Sequence, residues 1–231
     1  MSSISYWNET GKKSHYPRLD HSISADVVII GGGITGVTCA YCLAERGLRP
    51  VLIEAGVLAD GTTGNTTGKI TVQHGIIYYK TEEKYGLDAA RDYFLSQKSA
   101  LDFVKNVTQN ESIDCQLAEN WAYIYGVNDQ EWDTLQREYE TAKKIGIEAE
   151  LLENSDFPTG NKGLLAYKGQ YVFHPVRYVE GLAKAAAAKG AKICCDTKAV
   201  RLENDVPKKV HCEGDITIEA DHVVMATQYP F

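Results

Sequence analysis

The stretch DVVIIGGGITGVTCAYCLAERGLRPVLIEAG, residues 26–56, decides the fold. Residues 27–30 form the short, continuous apolar run that is typical of a parallel strand buried on both faces. Apolar residues then recur at helical spacing over residues 34–46, and a second β-branched run follows at 50–54. The stretch therefore predicts a strand, a tight glycine turn, a helix and a second strand, which together make one βαβ unit.

The turn after the first strand carries the pattern Gly31-x-Gly33-x-x-Gly36. In a dinucleotide-binding unit the first glycine permits the turn, the second lets a pyrophosphate approach the backbone, and the third lets helix and strand pack closely. The helix N-terminus, here Ile34 and Thr35, presents N–H groups and a partial positive charge to phosphates. We therefore expect these five residues to bind a dinucleotide.

Glu54 closes the second strand, and Ala55 follows it. A carboxylate at this position accepts hydrogen bonds from the ribose hydroxyls of an adenosine, so we count both residues with the cofactor site. The negative charge argues against NADP, because a 2′-phosphate would be repelled there. NAD and FAD share this fingerprint, and both stay open on these residues alone.

The stretch GTTGNTTGKITVQHG, residues 61–75, is too rich in glycine and threonine to pack a core. Its hydroxyl and N–H groups suit the phosphates and ribityl chain of a flavin nucleotide, and its backbone suits the approach of a flat ring. This pattern favours FAD over NAD. A polar surface loop is the alternative, although Ile70 and Val72 return at period two within the same stretch.

Composition limits the function classes. The chain has 231 residues, of which 44% are hydrophobic and 24% charged, as in a globular protein of one large or two small domains. A net charge of −7 argues against a nucleic-acid partner. No apolar run approaches the roughly 20 residues of a membrane span, and no signal peptide is evident, which predicts a cytoplasmic protein. The six cysteines form neither a disulfide framework nor a metal site.

Two further patterns have structural interpretations. Cys39 and Cys42 are three residues apart inside the predicted helix, where packing is favoured over redox chemistry. Trp121, Tyr123 and Tyr125 alternate along a predicted strand, so they either contribute to a core or line a substrate site, and we expect the core.

Four segments of the chain are informative together: residues 26–56, residues 61–75, YVFHPVRYVEGLAKAAAAKGAKI at 171–193 and ADHVVMATQYPF at 220–231. In this order they resemble the FAD-dependent oxidoreductases of the glycine oxidase and D-amino-acid oxidase superfamily. The leader motifs SYWNET and YPRL, with the TTGKITVQHG loop, are similar to the bacterial branch whose members carry a C-terminal Rieske iron-sulfur domain.

The resemblance implies an α/β fold with a Rossmann-type, glutathione-reductase-like FAD domain and an inserted α+β substrate region. We assign residues 22–80 and 165–231 to the FAD domain, residues 81–164 to an incomplete substrate or cap region, and residues 1–21 to a leader. The resemblance further implies that an amine or amino-acid substrate is held over the flavin and that hydride passes from it to flavin N5.

The resemblance also implies roles for individual residues. The glycines of the turn contact the pyrophosphate, threonines of the Gly/Thr stretch lie along the phosphates and ribityl chain, and Val200 offers its backbone to the adenine. Ala226 and Thr227 match an "ATG" segment in which Gln228 replaces the usual glycine. Lys69 and His74 are the candidates for a catalytic role. The threonines along the phosphates and ribityl chain are Thr62, Thr63, Thr66 and Thr67, and the residues beside the isoalloxazine ring are Gly68, Lys69 and Ile70.

The family's second half, including two Cys-x-His type ligand pairs in the Rieske branch, is not in this sequence. We therefore expect an N-terminal half, truncated or separately encoded, whose electron acceptor is dioxygen or an iron-sulfur domain or subunit. Two alternatives stay open. One is a non-catalytic nucleotide-binding fragment or subunit, and the weaker one is an NAD-dependent dehydrogenase.

Overall fold

The computed structural model describes residues 4–153 and 160–228, and the chain divides into two compact units. Of the described residues, the first unit contains 4–67, 107–115 and 174–228, and the second unit contains the others. The expectations for residues 1–3, 154–159 and 229–231, at the start of the leader, in the cap region and at the end of the FAD domain, lie outside the described residues.

The elements in chain order are α1 (Tyr6–Thr10), β1 (Ile23–Ile30), α2 (Ile34–Glu45), β2 (Pro50–Ile53), a 3-10 turn (Thr63–Asn65), β3 (Lys69–Ile70), α3 (Tyr78–Tyr85), α4 (Leu87–Asn110), β4 (Ala118–Gly126), α5 (Asp129–Ile145), β5 (Ala149–Glu153), β6 (Gly163–Val172), α6 (Pro175–Ala188), β7 (Lys192–Cys194), β8 (Ala199–Glu203), β9 (Lys208–Cys212) and β10 (Ile216–Met225).

The first unit is built on a six-stranded sheet of order β7-β2-β1-β10-β9-β8. The strands β7, β2, β1 and β10 are parallel, and β9 and β8 complete the sheet as an antiparallel extension. Ile29 lies opposite Leu52 on one side and Val224 on the other, and Ile29 and Leu52 are fully buried. The predicted βαβ unit and the α/β fold class are confirmed.

The second unit is an antiparallel sheet with helices packed on one face. β6 pairs with β3, β4 and β5, and the core between this sheet and helices α3 and α5 includes Tyr78, Leu135 and Tyr167. The helical spacing of apolar residues over residues 85–109 predicts one long amphipathic helix, which is confirmed as α4. Helix α3 is an element that the periodicity does not predict.

The aromatic residues of β4 correct one expectation. Trp121, Tyr123 and Tyr125 are 39%, 50% and 53% exposed, so they are not in the core. β4 pairs with β6 along one edge, and its alternate residues Ala122 and Ile124 pack against the buried cluster. The strand period therefore turns the three large rings away from the core of the second unit.

The compact units differ from the predicted domain bounds. The first segment of the first unit ends at Thr67, whereas the predicted FAD domain continues to residue 80, because Lys69 and Ile70 pair with β6 in the second unit. The segment 107–115 belongs to the first unit, where the Glu111 carboxylate accepts a hydrogen bond from the Tyr41 hydroxyl at 2.7 Å. The segments DITIEA, residues 215–220, and DHVVMAT, residues 221–227, each have the pattern of a short strand. Both lie largely on the single strand β10, since its pairing with β1 continues through Ala220.

Within the described part of the chain, every helix is too short or too polar to cross a bilayer.

Candidate functional site

Three parallel strands of the first unit end at one edge of the sheet, at Ile30, Ile53 and Met225. Ligands of open α/β sheets bind outside the carboxyl ends of such strands. A cavity of about 710 Å³ lies there. It is lined by Gly31, Gly32, Gly33, Ile34, Thr35, Glu54, Ala59, Asp60, Gly61, Thr62, Thr63, Met225, Ala226, Thr227 and Gln228.

The glycine turn is shaped by close backbone approaches. Gly31 has φ +115°, which disfavours any side chain, and a Cβ there would also lie 2.8 Å from the Ala226 carbonyl oxygen. A Cβ on Gly36 would lie 1.9 Å from the Gly31 carbonyl oxygen. Gly36 is buried and outside the cavity lining, so it allows α2 to pack on the turn rather than lining the cavity.

Helix α2 begins at this turn without a side-chain cap at Gly33. The Ile34 N–H donates to Thr63 Oγ1 at 3.1 Å, and the Thr63 hydroxyl keeps its own proton to donate. The N–H groups of the first helical turn other than that of Ile34 lie at the positive end of the helix dipole. Together with the glycine cradle, this arrangement fits the pyrophosphate of a dinucleotide.

The Glu54 carboxylate lies half-buried at the end of β2. Its Oε2 accepts the Gly32 N–H at 2.6 Å and its Oε1 accepts the Gly56 N–H at 3.0 Å. A carboxylate has about four acceptor sites, so two backbone bonds leave capacity for a ligand hydroxyl. These bonds hold the side chain against the glycine turn, where a ribose hydroxyl of the cofactor would need an acceptor.

The Gly/Thr loop, residues 61–67, contributes only its first half to the cavity. Thr62 Oγ1 donates to Gln228 Oε1 at 2.7 Å, and Thr63 reaches the start of α2. Thr66 and Thr67 are outside the lining, and the Thr66 carbonyl accepts a hydrogen bond from Trp7 Nε1 instead. The expected row of four threonines is therefore divided between the cavity and the N-terminal helix.

Sequence reasoning missed six lining residues, which are Gly32, Ala59, Asp60, Gly61, Met225 and Gln228. Four of them adjoin predicted site residues, and that adjacency is the signal that would have found them. Gln228 stands where the family commonly has glycine, and its bond to Thr62 joins residues far apart in the sequence. No local sequence pattern predicts this contact between Thr62 and Gln228.

Several predicted residues are not brought to this cavity. Ala55 and Val200 are exposed and outside its lining. Gly68, Lys69, Ile70 and His74 belong to the second unit, where Lys69 pairs with Val172 and His74 Nδ1 lies 2.8 Å from the Tyr93 hydroxyl. Their roles toward a flavin or a substrate stay predictions.

Comparison with known proteins identifies the family. The model of the family described as FAD dependent oxidoreductase matches residues 26–229. A protein of Bacillus subtilis named as a Rieske 2Fe-2S iron-sulfur protein, YhfW, is 35% identical over 226 residues, which cover 98% of this chain and 44% of that protein.

One further relative and one solved structure are similar to this chain. Gamma-glutamylputrescine oxidoreductase of Escherichia coli is 26% identical over 231 residues, covering 96% of this chain and 53% of that protein. The crystal structure of glycine oxidase from Geobacillus kaustophilus superposes with a TM-score of 0.73 at 21% identity, covering 88% of this chain and 55% of the other, and shows the shared fold. The chain thus spans about half the length of these relatives.

Proposed function

The chain belongs to the family of FAD-dependent oxidoreductases, and from that premise we propose that it forms the FAD-holding part of an enzyme that oxidises a carbon-nitrogen bond in an amine or amino acid. The observation that carries the proposal is the cavity at the carboxyl edge of the parallel sheet. There the uncapped start of α2, the glycine turn and the Glu54 carboxylate meet.

We assign a part of the cofactor to each part of the cavity. We assign the pyrophosphate to the N–H groups at the start of α2 and to Gly33, and the adenosine ribose to Glu54. Thr62 and Thr63 are assigned to the phosphates and ribityl chain. The family resemblance supports the remaining assignments, which are Val200 for the adenine and Gly68, Lys69, Ile70, Ala226 and Thr227 for the flavin.

When bound, FAD supplies a two-electron acceptor for hydride from the substrate carbon. The residues of this chain bind and orient the cofactor, and the cavity walls hold it in place with groups fixed before binding. Lys69 is the candidate for a positive charge beside the flavin or an anionic substrate, and His74 is the candidate for a substrate contact. Both side chains are exposed in the second unit.

The substrate class is supported by the names of two relatives, a gamma-glutamylputrescine oxidoreductase and a glycine oxidase, both of which name nitrogen compounds. The relative named as a Rieske protein supports an iron-sulfur domain or subunit as the electron acceptor. We place the protein in the cytoplasm, because its six cysteines are thiols, as a reducing compartment would keep them.

A second candidate is a non-catalytic cofactor-binding part that needs a further domain for turnover. The observation favouring it is that the chain covers 44% of YhfW and 53% of the oxidoreductase from Escherichia coli. This candidate shares the FAD site and differs only in turnover.

Anaerobic mixing of the FAD-loaded chain with a panel of primary amines, secondary amines and amino acids distinguishes the two. Loss of the flavin band near ~450 nm with at least one member shows substrate oxidation by this chain. A flavin that stays oxidised with every member, yet is bleached by dithionite, supports the non-catalytic candidate. The panel includes 2-hydroxy acids as a control for carbon-oxygen oxidation.

A further inference from the structure

The N-terminal helix α1 is attached to the Gly/Thr loop within the first unit. Trp7 Nε1–H donates to the Thr66 carbonyl at 2.7 Å, and the Ser5 hydroxyl donates to the Gly64 carbonyl. These bonds join parts of the chain that are 59 residues apart in sequence. Two carbonyl groups of the loop therefore find their donors on a short helix that lies outside the βαβ unit.

Close packing adds to these two bonds. Gly64 is buried, and a Cβ on it would lie 2.5 Å from Asn8 Oδ1 and 2.3 Å from the Ala59 carbonyl oxygen. At the neighbouring end of the loop, Lys13 forms an ion pair with Asp60, which lines the cavity. The helix and its following residues thus contact the loop from Asp60 to Thr66.

Helix α1 also contacts His174, the N-cap residue of α6. Thr10 Oγ1 lies 3.0 Å from His174 Nε2, and the rings of Trp7 and His174 meet edge to face with centroids 5.1 Å apart. His174 is almost fully buried and caps α6, since its Nδ1 accepts the Arg177 N–H at 3.3 Å. Movement of α1 away from the loop would therefore break contacts on both of its sides.

The contacts of α1 lead directly to the cavity. Gly64 lies within the 3-10 turn and Thr66 follows it, and the Thr63 hydroxyl of the same turn accepts the Ile34 N–H at the start of α2. A loop that is held at these two carbonyls keeps Thr62 and Thr63 facing the cavity. A five-residue helix gains little stability alone, so its order depends on the loop in turn.

We propose that Ser5 and Trp7 are positioning residues for the cofactor site: they fix the Gly/Thr loop in its binding conformation, so that FAD binding and docking of α1 stabilise each other. The inference rests on the proposed function, because it requires FAD in the cavity. By linkage, any gain in FAD affinity from the docked helix equals the gain in docking from bound FAD.

The first test is FAD affinity of Trp7→Phe, measured by titrating the cofactor-free chain. Phenylalanine keeps an aromatic ring next to His174 but removes the N–H donor to Thr66, together with part of the volume of the indole. We expect the Kd for FAD to rise about tenfold, because the part-buried Thr66 carbonyl loses its donor. Tyr6→Phe is the matched control, because Tyr6 is the neighbouring aromatic residue and is 60% exposed, and its Kd stays at the wild-type value.

The second test reads the reverse coupling without turnover. Hydrogen exchange of the amides in residues 5–11 slows when FAD is added to the wild type, and this protection is reduced in Trp7→Phe and in Ser5→Ala. Thermal unfolding of both variants shows whether they fold. Where Trp7→Phe does not fold, the Kd for FAD of Ser5→Ala gives the answer. This variant removes the bond to Gly64 together with the N-cap bond that Ser5 Oγ accepts from the Asn8 N–H.

The outcomes separate this inference from the proposed function. Wild-type FAD binding with an unchanged Kd in both variants, or exchange in residues 5–11 that does not respond to FAD, overturns the inference alone. A wild type that does not bind FAD overturns the proposed function, and the inference falls with it. A raised Kd together with lost protection supports both.

Discussion

The Glu54 carboxylate accepts the Gly32 N–H at 2.6 Å, which ties the end of β2 to the glycine turn that follows β1. The same carboxylate accepts the Gly56 N–H at 3.0 Å. An acid at this position therefore has two functions that are separable by experiment. It ties the edge of the sheet to the glycine turn in the absence of a ligand. In the proposed function, it offers its remaining acceptor sites to the ribose of FAD.

Glu54→Gln is expected to weaken FAD binding by tenfold or more. The amide has one acceptor oxygen in place of two, so one backbone N–H then faces an NH₂ group, and a bond to a charged acceptor contributes about 1.5–3 kcal/mol. The Kd for FAD and the Tm of the cofactor-free chain check this. Glu219→Gln is the control, because Glu219 has only an exposed ion pair with Lys209 at 3.5 Å. An unchanged Kd would remove Glu54 from the site.

Gly36→Ala is expected to destabilise the first unit by about 3 kcal/mol or more, since the added Cβ overlaps the backbone of Gly31. In a chain of this size the Tm falls by roughly 6–12 °C. Gly56→Ala is the matched control, because a Cβ there meets nothing within 4 Å and its backbone N–H still reaches Glu54. Equal Tm values for the two variants would contradict the packing role of Gly36.

Thr63→Val is expected to raise the Kd for FAD by about five- to tenfold, because the Ile34 N–H loses its acceptor and a hydroxyl donor is lost from the cavity. Thr63→Ser keeps the hydroxyl and is expected to bind FAD nearly as the wild type does. The comparison is made by flavin fluorescence titration. Weak binding by the serine variant as well would show that the methyl group contributes too and that the hydroxyl alone does not account for the effect.

Glu138 makes the stability of the second unit depend on pH. Its fully buried carboxyl accepts the N–H groups of Ile77, Tyr78 and Tyr79, and burial away from water raises its pKa above the ordinary value of 4.5, against the effect of those donors. A carboxyl group whose pKa is raised on folding makes its full contribution to the free energy of unfolding below pH 4.5. That contribution is lost as the pH rises through the pKa of the folded state.

Urea unfolding between about pH 4 and about pH 8 tests this sign with Glu138→Gln, which does not titrate. We expect the free energy of unfolding of the wild type, minus that of Glu138→Gln, to fall as the pH rises. Glu140→Gln, an exposed position on the same helix, is expected to show no such trend. A difference that grows with pH would mean that the three backbone donors outweigh burial.

The βαβ unit and the role of its glycines follow from the sequence because their causes are local. Apolar runs, helical spacing and the interval between Gly31 and Gly36 all lie within one stretch of chain. The position of Gly36 against the Gly31 carbonyl is the contact that the glycine pattern implies. Here local pattern and tertiary structure agree.

The other half of the site depends on contacts between distant residues. The bond from Thr62 to Gln228 spans 166 positions, and those from α1 to the Gly/Thr loop span 59. The rings of β4 are exposed, although the sequence favours the core for them. Alternation along a strand shows that the strand has two faces, but it does not show which face a distant part of the chain covers. Roles that need the flavin itself, such as that of Lys69, remain predictions.

The visible absorbance spectrum of the purified chain, taken after FAD is added and the excess removed by gel filtration, tests the central claim most directly. The cavity at the carboxyl edge of the sheet predicts a retained flavin spectrum with a band at about 450 nm, and a weaker band in Glu54→Gln. A wild-type chain that folds, as judged by circular dichroism, and elutes colourless would contradict the assignment of this cavity to FAD.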